Sequence, residues 1–158
     1  MISSLTSCAD TDAAQQSIAV PSALLLRLHH PALTDVWANA LCSLEGSNYA
    51  VRPFEELRST CAECLRAYEA FLERGDREPL WGFIERLCEL RAPLHFPSAE
   101  ITDAFMLFLD TADDVLGPQV TDRAQWDEIM RDYRHCTRAS IKAFINAYWI
   151  HLEILGAI

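Results

Sequence analysis

Thr121–Leu155 reads TDRAQWDEIMRDYRHCTRASIKAFINAYWIHLEIL, a run without Gly or Pro. Thr121 followed by Asp122 is a good helix start. A single helix over this stretch is roughly 50 Å long, at about 1.5 Å per residue. Trp126, Ile129, Tyr133, Cys136, Ser140, Ala143, Ala147 and His151 recur at alternating steps of three and four and form a mostly apolar stripe. Charges surround the stripe from Asp122 to Arg138, whereas from Ile141 to Leu155 only Lys142 and Glu153 carry a full charge. A helix apolar on most faces needs partners on most faces. The second half therefore predicts packing against a second copy of the chain or against a following domain.

Working outward, the same periodicity predicts the rest of the fold. Pro21 and Ser22 open a short helix over Ala23–His29, and Pro31 then either starts a segment of about Leu33–Leu44 or merely kinks one longer helix. Pro53 with Glu55 and Glu56 starts the next helix, which Gly75 closes. Asp76 caps a third, whose stripe is Leu80, Ile84, Leu87 and Leu94 and which stops near Arg91 before Pro93. Ser98 caps a fourth, apolar enough (Ile101, Phe105, Phe108, Ala112, Val115, with Met106, Leu107 and Leu109) to be the most central, and Gly117-Pro118 ends it. No alternating Val/Ile/Thr run bounded by hairpin turns occurs. The expected fold is all-α, an antiparallel helical bundle of five to six helices with a long C-terminal helix over about 121–155. Residues 1–20, polar and small, are expected to be flexible, with 21–158 forming a single helical domain.

Composition narrows the function. The 158 residues carry a net charge of −10, with a single Lys and no Lys/Arg cluster along the sequence. Nucleic acid and anionic membrane surfaces are therefore not expected partners. The N-terminus has no Arg or Lys before Arg27 and no apolar run long enough to span a bilayer, so a cytoplasmic location is expected. Cys61-Ala-Glu-Cys64 is a C-x-x-C pair in mid-helix, without a second ligand pair, and it reads as core packing with no metal site.

Tyr49-Ala-Val-Arg-Pro-Phe-Glu-Glu-Leu57 enters one helix, and Leu72-Glu-Arg-Gly-Asp-Arg-Glu78 joins it to the next. An Arg-rich helix then ends in Leu90-Arg91, and the corner Phe96-Pro97-Ser98 leads to an apolar helix and the long last one. Over roughly residues 22–155 this order resembles the N-terminal helical sensor domain of RsbR-type (RsbRD-like) stressosome and signal-transduction regulators. In that family the domain precedes a STAS domain, a histidine kinase or a helix-turn-helix regulator. The resemblance implies a non-catalytic signal-input module that responds to stress and transmits through its last helix to an output domain or signalling protein. Some members are similar to globins lacking heme, which makes a globin-like arrangement an alternative and a heme-binding or small-molecule sensor the second reading. One departure is His95, where the family has Gly before the corner aromatic. Glycine there permits positive φ, which histidine adopts at a cost.

Candidate sites follow. A heme ligand is a His on an apolar face opposite a roomy pocket. His95, with Trp81 and Phe105 near it, is the candidate ligand site, and His151 is a second candidate; the simpler readings put His95 at a helix end and His151 at a dimer seam. Phe144, Tyr148, Trp149, His151, Leu152 and Leu155 are the candidate dimer or partner interface, with part of the first helix. Tyr148 and Trp149 are adjacent on a helix, so at least one points away from the core. Asp103, Asp110, Asp113 and Asp114 read as a solvated face, as do Glu63 and Glu153. No phosphate loop, nucleophile elbow or zinc-protease motif is present, so no catalytic residue is expected. The expected cofactor is none, with heme as the alternative. A plain interaction adaptor is the third reading.

Overall fold

Six α-helices and three short 3-10 turns make up residues 20–156, the part of the chain the computed structural model describes, and no strand occurs among them. The helices are α1 (Pro21–Leu28), α2 (His30–Cys42), α3 (Phe54–Arg74), α4 (Glu78–Arg91), α5 (Ser98–Leu116) and α6 (Arg123–Ile154). The all-α bundle with a long last helix is thus the fold. The expected flexible segment 1–20 lies, but for Val20, outside the described residues. No helix of the described residues is long and apolar enough to cross a membrane.

Local chemistry sets most boundaries. Pro31 sits in the first turn of α2, where its missing N–H has no intrahelical partner to lose, and the break falls at His29 (φ −112°, ψ 16°). Asp122 caps α6, its carboxylate accepting the Ala124 N–H at 3.0 Å; Asp76, expected to cap α4, instead precedes the cap residue Arg77, and from there its carboxylate accepts the Glu78 N–H at 3.2 Å. Gly75 closes α3 at φ 67°. Ser98 does not cap α5: Pro97, extended at φ −60° and ψ 136°, holds the cap position, and Ser98 is already the first helical residue.

Consecutive long helices run antiparallel. Along α3 and α4, Glu63 pairs with Arg86 and Glu56 with Arg91. Along α5 and α6, Phe108 meets Tyr133 and Phe105 meets Phe144. Helices α4 and α6, separated by α5, consequently run parallel, with Trp81 beside His135 and Glu85 bonded to His151.

The centre is not α5. That helix packs mainly on α2 and α6, with Met106 47% exposed, whereas α3 and α6 each pack on four other helices. Phe108 is the hub, its ring 5.1–5.4 Å from those of Trp37, Tyr68 and Tyr133.

The buried stripe of α6 also departs from expectation after Ser140. It runs Trp126, Ile129, Tyr133, Cys136, Ser140, Phe144, Tyr148, not through Ala143, Ala147 and His151. Alternating steps of three and four average 3.5 residues, and a straight helix at 3.6 drifts about 20° per heptad away from them. An extra step of four restores the register.

Candidate functional site

Extending the α4 stripe Leu80, Ile84, Leu87 by one more step of four reaches Arg91, the last residue of the helix. The expected Leu94 falls beyond it in a 3-10 turn and is 41% exposed. Arg91 is therefore carried into the core, and it is the largest fully buried side chain of the described residues. Three neighbours surround its guanidinium. Nη1 donates to Glu56 Oε1 on α3. The rings of Tyr49 and Phe96, themselves edge-to-face with centroids 5.0 Å apart, lie 5.2 and 4.8 Å from its carbon, two cation–π contacts made from the same side.

The corner residues are themselves fixed. The Glu100 carboxylate accepts from the Asn48 backbone N–H and side-chain amide at 3.2 and 2.9 Å, pinning the turn that carries Tyr49. The Tyr148 hydroxyl donates to the Phe96 carbonyl at 2.7 Å. His95, immediately before Phe96, is left-handed (φ 58°, ψ 37°), the conformation that turns the chain back so that Phe96 enters the core. Its imidazole is exposed.

Glu56 also accepts from Arg52 Nε at 2.6 Å. Burial pushes its carboxyl up, but the hydrogen bonds from Arg91 and Arg52 outweigh burial and hold it below the usual Glu range. Two guanidinium groups thus share one carboxylate, leaving this partly buried cluster with one net positive charge. Burial also drives the Tyr49 hydroxyl above its ordinary range, against the opposing pull of Arg91, so the phenol stays protonated.

The remaining edge of Arg91 is bare. Nε and Nη2 are out of contact with solvent and have no acceptor. A buried donor without a partner costs about 1–3 kcal/mol, more when charged. Arg91 lines an internal cavity of about 30 Å³ whose other walls include Trp37, Tyr49, Cys61, Ile101, Ala104 and Phe105.

The structure does not bring the three expected ligand residues together. Phe105 lines this cavity, Trp81 lines a surface groove with Arg77, His135 and Lys142, and His95 lines neither. The residues do not fit a heme either. No histidine faces the internal cavity, His151 bonds to Glu85 at 2.9 Å, and about 30 Å³ is far below the roughly 300 Å³ and more of ordinary cofactor pockets. Cys61 and Cys64 are buried free thiols held above their ordinary pKa by burial. No metal-binding group of His, Cys, Asp or Glu occurs among the described residues.

Of the expected interface residues, Phe144 and Tyr148 belong to the core, at 0% and 1% exposure. The register shift described above explains both. His151 and Leu152 are half-buried; Trp149 and Leu155 are exposed. The exposed apolar set instead includes Ile145, Ile150 and Ile154, at 50%, 55% and 76%. Along the preceding turns of the same helix, Arg131, Arg134, Arg138 and Lys142 are exposed at steps of three and four. Four of the thirteen basic residues thus align on α6, and none of these four makes an ion pair among the described residues.

Comparison with protein-family models, curated proteins and solved structures gave no match.

Proposed function

We propose that the chain is a non-catalytic signal-input domain that dimerises through the last turns of α6 and relays its state through that helix to an output domain or signalling protein. The observation supporting this reading is the exposed apolar end of α6: Ile145, Trp149, Ile150, Ile154 and Leu155 lie within eleven residues, beside a core that reaches only as far as Tyr148. Apolar side chains gathered on one helix end favour association, at about 25 cal/mol per Å² buried. Arg131, Arg134, Arg138 and Lys142 would repel one another in a parallel two-fold pairing along the whole helix, which confines the contact to the end. The resemblance to RsbR-type input domains points the same way.

Sedimentation of the chain at tens of micromolar tests the reading. The wild type is expected to be a dimer and Trp149→Glu a monomer with unchanged helical content. A wild-type monomer with α6 folded would sink it.

A further inference from the structure

Among the described residues, Thr34 and Arg91 carry buried polar atoms without a partner, and of the two Arg91 is charged and lines the cavity. Besides its two faces, a guanidinium offers donors on the Nη1 side, at the end between Nη1 and Nη2, and on the edge where the Nε and Nη2 hydrogens point the same way. Here Tyr49 and Phe96 pack against the group from one side and Glu56 takes Nη1. The edge left over is the one that grips a carboxylate with two parallel hydrogen bonds. It is buried, has no acceptor, and belongs to a side chain on the wall of a cavity.

The cavity fixes the size and character of what fits. About 30 Å³ exceeds the roughly 10–15 Å³ that one water needs but admits only a few heavy atoms. Apart from Arg91, Thr60 and the phenol of Tyr49, its walls are apolar or aromatic, including Leu41, Leu57, Leu87 and Ile101. A charged head beside a short apolar tail matches both parts. The excess positive charge of the Arg52–Glu56–Arg91 cluster selects an anion over a neutral molecule.

We infer that Arg91 and this cavity form a binding site for a short-chain aliphatic carboxylate, held bidentately by Nε and Nη2 with its alkyl tail between α2, α3, α4 and α5. The site deepens the signal-input reading, on which it rests for its purpose, by naming the chemistry sensed. Its link to α6 is direct: Phe96 stacks on Arg91, and the Phe96 carbonyl holds the Tyr148 hydroxyl beside the exposed helix end. A ligand that fixes the guanidinium favours one packing of Phe96 and, through it, of the α6 end.

Calorimetric titration of the chain with acetate, propionate and butyrate, and with butyramide as the uncharged isostere, tests the site. Saturable binding of at least one of the three carboxylates is expected, the size of the cavity favouring the shorter ones, with butyramide at least about tenfold weaker than butyrate, because a charge-assisted bidentate contact is worth more than one factor of ten. Arg91→Met removes the fork and Ala104→Val fills the cavity while keeping the fork. Either variant, shown folded by circular dichroism, is expected to abolish the binding. Absence of saturable binding by any of the three carboxylates to folded wild type overturns the inference, as does butyrate binding that survives both variants. Binding is read here apart from sedimentation, so a monomer that binds butyrate disproves the dimer reading and leaves the site standing.

Discussion

Two Arg–Glu clusters on the same helix α3 differ in stoichiometry and, above all, in the depth of their arginine. Near its C-terminal end, Arg27 of α1, 48% exposed, reaches the partly exposed Glu69 and Glu73 at 2.7 and 2.6 Å. Near its N-terminal end, Arg91 of α4 reaches Glu56, with the guanidinium wholly buried and the carboxylate side chain 19% exposed. The surface pair gains little, because water solvates either partner nearly as well and salt screens the attraction. The buried arginine has no such alternative. Glu56, the two aromatic faces and whatever meets its bare edge are the only replacement for its lost hydration. Depth turns an incidental contact into a requirement, and here the requirement is left half-met.

The largest effect should come from Glu56→Ala, which strands the buried guanidinium. A loss of about 3–5 kcal/mol in urea unfolding is expected. The reverse deletion is asymmetric: Arg91→Met leaves Glu56 partly exposed and still bonded to Arg52, so it should cost less than about 1.5 kcal/mol, as a swap that roughly conserves volume does. Equal losses in the two variants would mean that the arginine is not the stranded partner and would break the comparison.

Acid should act through the deep pair. The Glu56 carboxyl lies below its ordinary 4.5 when folded, despite burial, because Arg91 and Arg52 bond to its charged form. A depressed folded value contributes stability that is complete above the unfolded pKa and disappears as pH falls through the folded one. The stability gap between wild type and Glu56→Gln should therefore narrow as pH drops from 6 to 3, measured by urea midpoints; a constant gap would contradict the assignment. Next in size is Tyr148→Phe, which leaves the Phe96 carbonyl without its donor and should lower stability by about 1 kcal/mol. Last, Arg27→Ala is expected to leave the thermal midpoint within error of wild type, since its partners return to water at no resolvable cost.

Most helix ends were legible because their signals are local. Pro31, Pro53, Gly75, Asp76 and Asp122 act on backbone groups within a few residues, and each does so here. Ser98 was misread because Pro97 alone already fixes an extended entry. The exposed apolar end of α6 was half legible. The composition of Ile141–Leu155 announced excess apolar surface, but assigning it needed the helix phase. A drift of about 20° per heptad is enough to move Phe144 and Tyr148 inside and leave Ile145, Ile150 and Ile154 outside.

Arg91 was the residue least visible. In sequence it was the last charged residue of an Arg-rich helix, and nothing local distinguishes it from Arg86, which is exposed and paired with Glu63. The one available signal was the four-residue step from Leu87. Periodicity, caps and composition are properties of neighbours along the chain, and by themselves they determined an all-α bundle ending in a long helix with an apolar tail. Which arginine is buried was decided only in three dimensions. Glu56 lies 35 residues from Arg91, and Tyr49 farther still, on a turn that Glu100 pins in place. Desolvation depends on what arrives from elsewhere in the chain, and only the packed bundle brings a carboxylate, two aromatic rings and a cavity to the same guanidinium.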